Sequence, residues 1–119
     1  LLGNIFSLSL SKRDITGAMQ SYADLTEFLI RFPESEYIDA ARERLIFLRN
    51  LIASSELDGA EYYLKRGAYL AALNRANYVL KNIPNSTEKQ RALDIMKKSF
   101  IELGYEEYAE KVSSVEALN

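Results

Sequence analysis

The chain has 119 residues, of which 48% are hydrophobic and 27% are charged, and its formal net charge is −2 at pH 7. This balance is typical of one ordinary folded domain and argues against disorder. The chain contains no cysteine and no histidine, which excludes disulfides and thiolate metal sites and removes the most frequent general base.

The N-terminal stretch, residues 1–11, is the longest run without a charged residue. It is too short to cross a bilayer, which takes about 20 apolar residues, and no secretory signal peptide is visible. The chain begins with Leu1 rather than methionine. We therefore expect a piece of a longer protein, with any targeting or lipidation signal outside it.

A first helix is predicted over residues 14–32. Its apolar side chains recur every three or four positions, as on one stripe of a helix, and they are Ala18, Tyr22, Leu25, Leu29 and Phe32. Asp14 is expected to cap its start. Pro33 is expected to end it, because a residue that precedes proline is driven out of the helical region.

One long helix is predicted over residues 37–66. No proline interrupts this segment, and a helix of that length would extend about 45 Å at 1.5 Å per residue. Its weak point lies between Ser54 and Gly59, where poor helix formers cluster. We interpret these small residues as a place where a neighbouring helix packs closely.

Three shorter helices follow, over residues 68–82, 86–103 and 105–118. Pro84 is expected to stop the first of them, Ser86 to cap the second, and Gly104 to end it at the C′ position. No segment shows sustained alternation of apolar and polar residues, so no sheet is predicted.

The turns repeat along the sequence. Gly67 and Gly104 lie 37 residues apart, each has an aromatic residue four positions before it, and each has an alanine five positions after it. With Pro84 closing the first of these units, the pattern is that of tetratricopeptide (TPR) repeats. The predicted fold is all-α: a single TPR domain over residues 1–119, a helical-hairpin solenoid of about two and a half repeats. The alternative is a plain helical bundle.

Charge is unevenly distributed along the chain. Residues 65–98 contain eight basic and two acidic side chains, whereas the segments on either side are acidic. A basic segment of this kind suits docking to an acidic protein surface. The alternative is an ordinary solvated helix face, because individual surface charges contribute little.

Several runs of residues carry a family resemblance. They are RFPESEY at residues 31–37, RLIFLRN at 44–50, AEYYLKRGAY at 60–69 and AALNR at 71–75. In order and spacing these runs resemble the C-terminal half of the BamD (ComL) family, and generic TPR proteins do not share them.

The resemblance implies a periplasmic scaffold that takes part in β-barrel assembly at the outer membrane. BamD-like proteins are TPR lipoproteins tethered by an N-terminal lipid, and their C-terminal repeats dock a POTRA domain of BamA. Other Bam lipoproteins also bind them. The chain is expected to be the C-terminal part of such a lipoprotein. It would retain partner docking at the periplasmic face of the outer membrane without the lipid that anchors the full-length protein.

Six residues are candidates for partner binding. The resemblance places the arginine of the Asn74–Arg75 pair on the face that meets BamA, where its planar fork suits a carboxylate. The alternative is an intramolecular ion pair of Arg75 with an acidic residue of the long helix: Glu56, Asp58 or Glu61. Tyrosine is favoured at interface anchors, so Tyr62 and Tyr78 are included with Asn74 and Arg75. Lys65 and Arg66, from the basic segment, complete the set.

Other function classes fit less well. A generic TPR adaptor that holds a peptide or protein partner in the periplasm remains the alternative function. A nucleic-acid binder is disfavoured by the pI of about 5.2 and by the absence of an aromatic stacking motif. No constellation of acid, base and nucleophile is present, so no enzyme, cofactor or metal site is predicted.

Overall fold

A computed structural model describes residues 12–118 of the chain. The expectations for residues 1–11 lie outside the described residues. Within the described part no strand occurs, and the five helices are α1 (Lys12–Arg31), α2 (Ile38–Lys65), α3 (Tyr69–Asn82), α4 (Lys89–Glu102) and α5 (Glu106–Leu118). The all-α prediction is confirmed. None of these described helices is both long enough and apolar enough to cross a bilayer.

The chain divides into two compact units. Among the described residues one unit ends at Ile52 and the other begins at Ala53, so that α2 runs through both. In the first unit, the buried side chains of α2 are Ala41, Leu48 and Ile52, which recur on one stripe of the helix.

Helix α1 is only partly covered. The apolar stripe predicted for it is intermediate in burial from Ala18 to Leu29. Phe32, predicted on that stripe, is 51% exposed. It follows the last helical residue, and its ring is tilted against Phe28 at 5.6 Å between centroids.

The second unit contains two helical turns of identical construction. At the end of α2, the N–H of Ala68 donates to the carbonyl of Tyr63 at 2.9 Å, and Gly67 has φ +77°. At the end of α4, the N–H of Tyr105 donates to the carbonyl of Phe100 at 2.8 Å, and Gly104 has φ +86°. Each is a Schellman turn with glycine in the left-handed conformation at C′.

These two turns are the structural form of the predicted repeat. Arg75 of α3 contacts the end of α2 at Glu56 and Gly59, α5 packs against α4, and α4 also packs against α3. The alanines predicted to open each returning helix, Ala72 and Ala109, are buried. Small side chains there let paired helices approach closely, so the hairpins are of the TPR type.

The interior of the second unit is built largely from small side chains. Leu57 and Val79 are the largest hydrophobic side chains that are fully buried. The other buried hydrophobic residues among the described part of this unit are Ala53, Ala60, Ala72, Ala76, Ile83, Ala92, Leu93, Ile95, Ala109 and Val112. Ser99 is fully buried, and its hydroxyl donates to the carbonyl of Ile95 at 2.7 Å.

The starts of two helices differ from prediction. Ser86 does not cap α4: its hydroxyl accepts from the N–H of Glu88 at 3.3 Å within a turn, and the helix begins at Lys89. Ser86 lies too early, because the residues after Pro84 form that turn before the helix starts. Asp14 lies inside the first turn of α1 rather than at its cap.

Candidate docking surface

The six residues predicted to bind a partner all lie on the hairpin formed by the end of α2 and by α3. Tyr62 and Lys65 belong to the last turns of α2, Arg66 follows it directly, and the other three belong to α3. Since Gly67 turns the chain back on itself, residues about ten positions apart in sequence become neighbours. The geometry of the hairpin therefore determines which of the six side chains contact one another.

Two tyrosine rings lie between two arginine side chains on this hairpin. The guanidinium of Arg66 lies 4.5 Å from the centroid of the Tyr62 ring. The rings of Tyr62 and Tyr63 meet edge to face, with centroids 5.7 Å apart at 72°. Arg75, from α3, lies 5.4 Å from the Tyr63 ring centroid. We call these four residues the arginine–tyrosine ladder, and each contact in it is of the kind that stabilises a cation or an aromatic pair.

Arg75 has an ionic partner within the chain. Its Nη1 lies 3.7 Å from Oε2 of Glu56, and the side chains are 41% and 22% exposed. This distance joins the charges but exceeds hydrogen-bond length. Of the three acidic residues considered for Arg75, the structure pairs it with Glu56 alone among the described residues. The side chain of Arg75 nevertheless remains partly exposed.

The floor beneath Arg75 is a glycine of α2. A Cβ placed on Gly59 would lie 2.6 Å from Arg75 Nη1 and 3.2 Å from Cζ. The three atoms nearest that position are all side-chain atoms of Arg75. The expected close helix packing at Gly59 is thus the packing of a side chain, not of a neighbouring backbone.

The other candidates lie around the ladder to different degrees. Asn74 is exposed, and Tyr78 is half-buried one turn after Arg75. The backbone carbonyl of Tyr78 accepts from the side-chain amide of Asn82 at 3.0 Å. The structure therefore brings Tyr62, Arg66 and Arg75 into one array and leaves Asn74 and Tyr78 beside it on α3.

In the sequence analysis Tyr63 is only the aromatic residue four positions before Gly67, and it is not among the six candidates. In the structure Tyr63 joins the two arginine-bearing ends of the ladder. The spacing of four within α2 pairs Arg66 with Tyr62, whereas the arginine that Tyr63 contacts, Arg75, comes from α3, so no local signal indicates Tyr63.

A second arginine organises another face of α2, which the sequence reasoning did not identify. Arg91, from α4, donates from Nη2 to Oδ1 of Asp58 at 2.6 Å and from Nε to Oε1 of Glu61 at 3.0 Å. Its Nη1 donates to Oε2 of Glu88 at 3.4 Å. We call these four residues the Arg91 cluster. Oδ2 of Asp58 is buried and has no hydrogen-bond partner among the described residues.

The cluster shifts the ionisation of its members. The hydrogen bond from Arg91 lowers the pKa of Glu61, with further contributions from the charges of Arg91, Lys65 and Lys98. The hydrogen bond with Glu61 raises the pKa of Arg91 above its already high ordinary value. Opposite charge and hydrogen bonding to the ionised form act in the same direction here and outweigh burial.

Lys65 belongs to this second face rather than to the ladder. With Glu61, Arg91 and Lys98 it lines a surface groove of about 400 Å³, floored by Leu64 and Ile95. Among residues 12–118, no group of three or more metal-ligating side chains is arranged to hold a metal ion.

Comparison with known proteins gives a consistent family. Residues 2–115 match the family model YfiO, described as outer membrane lipoprotein. The chain is 34% identical over 114 residues to the outer membrane protein assembly factor BamD of Xylella fastidiosa strain 9a5c. It is 29% identical over 116 residues to the protein of that name from Vibrio cholerae serotype O1 and 33% identical over 103 residues to the one from Neisseria meningitidis serogroup A.

The matches cover most of this chain but only part of each relative. The aligned regions make up 96%, 98% and 87% of this chain, and 39%, 48% and 39% of the respective relatives. The chain thus spans less than half the length of the relatives that it matches.

Proposed function

This chain belongs to the YfiO family of outer membrane lipoproteins, and on that premise we propose that it is a non-catalytic TPR scaffold of the β-barrel assembly machinery. In this role it docks the periplasmic POTRA domain of BamA at the periplasmic face of the outer membrane. The relatives' name, outer membrane protein assembly factor, supports the assembly role. The full-length protein would be lipid-anchored, and other Bam lipoproteins would join the same complex.

The observation that carries the proposal is the arginine–tyrosine ladder. Tyr62 is 53% exposed and Arg75 is 41% exposed, so the ladder offers aromatic surface and a guanidinium side by side. Tyrosine and arginine are the residue types that most often dominate binding energy at interfaces. A rigid hairpin carries both, so little side-chain freedom is lost on binding.

The chemistry of the ladder points to a carboxylate on the partner. Arg75 offers five donors in a planar fork, and Glu56 engages one nitrogen at 3.7 Å. A partner aspartate or glutamate would take the remaining donors in a paired geometry, which is stronger than a neutral hydrogen bond. Asn74 and Tyr78 lie beside this position and would contact the same surface.

The proposal assigns no reaction to the chain. The sequence has neither histidine nor cysteine, and the carboxylates of Glu56, Asp58 and Glu61 are engaged by Arg75 and Arg91. Those carboxylates therefore hold the helices of the hairpins together, and we assign binding to the exposed arginine–tyrosine ladder.

The test is the affinity of the chain for the POTRA domains of its cognate BamA, measured by calorimetry. Arg75→Glu is expected to raise Kd about tenfold or more, because it places like charges opposite each other. Arg42→Glu is the matched control. It makes the same charge change in an exposed pair with Asp39. We expect its Kd to stay within about threefold of the parent value, because it changes only the long-range electrostatic steering of association.

Each of two results would refute one part of the proposal, either the docking function or its location on the ladder. One is a parent chain that does not bind the POTRA domains. The other is an Arg75→Glu variant that keeps its helical circular dichroism and binds as tightly as the Arg42→Glu control. The second result would leave docking intact but remove it from the ladder.

A peptide-binding adaptor is the second candidate function, and one groove favours it. Between α1 and α2, a groove of about 390 Å³ is lined almost wholly by apolar groups from Leu25, Phe28, Tyr37 and Ala40. Such a groove suits an apolar peptide side chain. Loss of ligand binding in Phe28→Ser with no change in Arg75→Glu would favour this function over POTRA docking.

A further inference from the structure

The feature that the proposed function leaves unexplained is a glycine in the interior of α2. Glycine there is unfavourable relative to alanine, because it gains no side-chain contact and loses more backbone freedom on folding. Gly17, in α1, has nothing within 4 Å of the position that a Cβ would occupy. Gly59 differs, since the space over it is filled by the side chain of Arg75.

Three residues of α2 form a seat for the guanidinium of Arg75. Glu56, Gly59 and Tyr63 follow one another at spacings of three and four, which places them on one stripe of the helix. Glu56 supplies the charge at 3.7 Å, Tyr63 supplies the ring face at 5.4 Å, and Gly59 supplies the open floor between them.

A side chain at position 59 would close this seat. The distance of 2.6 Å between such a Cβ and Nη1 is shorter than any normal contact, and Cδ and Cζ of Arg75 would lie 3.3 and 3.2 Å from the same Cβ. The helix backbone at position 59 is fixed by its own hydrogen bonds, so the flexible arginine is the group that moves. The arginine would then lose its contacts with both the Tyr63 ring and the Glu56 carboxylate.

We propose that Gly59 is a positioning residue, which holds Arg75 flat on α2 in the pose that meets a partner's carboxylate. The inference rests on the proposed docking function. Gly59 acts only through Arg75 and contacts no partner itself. Holding the fork in one pose beforehand lowers the conformational entropy that binding would otherwise cost.

The experiment is a double-mutant cycle in the whole chain with the parent, Gly59→Ala, Arg75→Ala and the double variant. Affinity for the POTRA domains of BamA is measured for each. Gly59→Ala is expected to raise Kd about fivefold, as one immobilised side chain is freed. In the Arg75→Ala background the same change should alter Kd less than about twofold, because coupled residues are not additive. Gly17→Ala is the control glycine and should leave Kd unchanged.

A second readout does not depend on the partner. Cζ of Arg75 lies over the Tyr63 ring, 5.4 Å from its centroid, so side-chain protons of Arg75 should resonate upfield in proton NMR spectra. That shift should disappear in Gly59→Ala and persist in Gly17→Ala. A purely structural effect of Gly59 on helix stability would change the melting temperature and leave this shift in place.

The outcomes separate the two claims. A parent chain that does not bind POTRA domains overturns the proposed function and the docking role of Gly59, while the NMR shift still decides whether the seat exists. A parent that binds, together with a Gly59→Ala variant that loses the shift and keeps full affinity, overturns the positioning role alone. Equal effects of Gly59→Ala with and without Arg75 also overturn it.

Discussion

Replacing Arg91 by methionine would remove a cation that three carboxylates share. Arg91 is 28% exposed, and its partners Asp58, Glu61 and Glu88 are 17%, 42% and 25% exposed. Methionine retains most of the aliphatic stem, so that the main loss is charge and hydrogen bonding rather than packing.

The magnitude follows from how far each pair is buried. Removing one partner of a fully buried ion pair costs about 3–5 kcal/mol, whereas exposed pairs are worth about 0.2–1 kcal/mol. The cluster lies between these cases. Asp58 dominates, because it is the least exposed and already has one buried oxygen without a partner among the described residues. We expect Arg91→Met to lower the free energy of unfolding by about 2–3 kcal/mol at pH 7.

The loss of unfolding free energy in Arg91→Met should be smaller at low pH than at pH 7. The folded-state pKa of Glu61 is lowered by Arg91, so its contribution to stability is present above the ordinary glutamate pKa of 4.5. It is lost as the pH falls through the lower folded value. Without Arg91 the pKa of Glu61 is no longer held down by that charge. The stability difference between the parent and Arg91→Met should therefore narrow below about pH 4.5.

Urea unfolding followed by circular dichroism at pH 7 and at pH 4 measures both effects. Arg42→Met is the control, because the Arg42–Asp39 pair is 58% and 91% exposed and should cost no more than about 0.5 kcal/mol. A loss at Arg91 no larger than at Arg42, or one that stays constant between the two pH values, would refute the argument that the cluster ties α4 to α2.

Further substitutions test the turns and the interior by the same unfolding measurement. Gly104→Ala should cost about 1–2 kcal/mol, because φ is +86° and a Cβ is strained in that conformation; an unchanged midpoint would contradict the turn geometry. Gly17→Ala, in open space within a helix, should instead stabilise by about 0.4–1 kcal/mol, and a loss would show that the space is occupied. Leu57→Ala, at a fully buried site, should cost about 2–5 kcal/mol, and a cost below about 1 kcal/mol would place Leu57 outside the core. Ala72→Leu should cost about 1–3 kcal/mol by overpacking, and a neutral result would mean that the helices there are not close.

The turns were the most predictable part of the fold, because their causes are local. A left-handed residue at the end of a helix requires glycine in most cases, so Gly67 and Gly104 mark the turns directly. Proline likewise marks the ends of α1 and α3. The start of α4 was harder, since a serine after a proline serves a turn as readily as a cap.

The ion pairs of the second unit depend on packing and were not predictable in the same way. Glu56, Asp58 and Glu61 were equivalent candidates for Arg75 in the sequence. The structure pairs Glu56 with Arg75 from α3, and Asp58 and Glu61 with Arg91 from α4. Which acid meets which base depends on where two neighbouring helices lie, and periodicity on α2 alone does not contain that information.

Ser99, which is buried, shows a related limit of predicting the core from apolar spacing. The apolar residues that recur every three or four positions in this segment are Leu93, Met96, Phe100 and Leu103, yet Ile95 and Ser99 are more deeply buried than the last three. A serine is compatible with the core here because its hydroxyl donates to the carbonyl of Ile95, four residues earlier. That bond satisfies the polar group within its own helix.

The two arginine sites impose a strict register on α2. At 100° per residue, the stripe of Glu56, Gly59 and Tyr63 and the stripe of Asp58 and Glu61 lie on roughly opposite sides of the helix. Inserting or deleting a single residue directly after Gly59 would rotate Glu61 and Tyr63 by about 100° relative to Glu56 and Asp58, and would split both stripes. Length variation in this part of α2 would therefore unseat Arg75 and Arg91 together, because the residues that hold each arginine would no longer lie on one side of the helix.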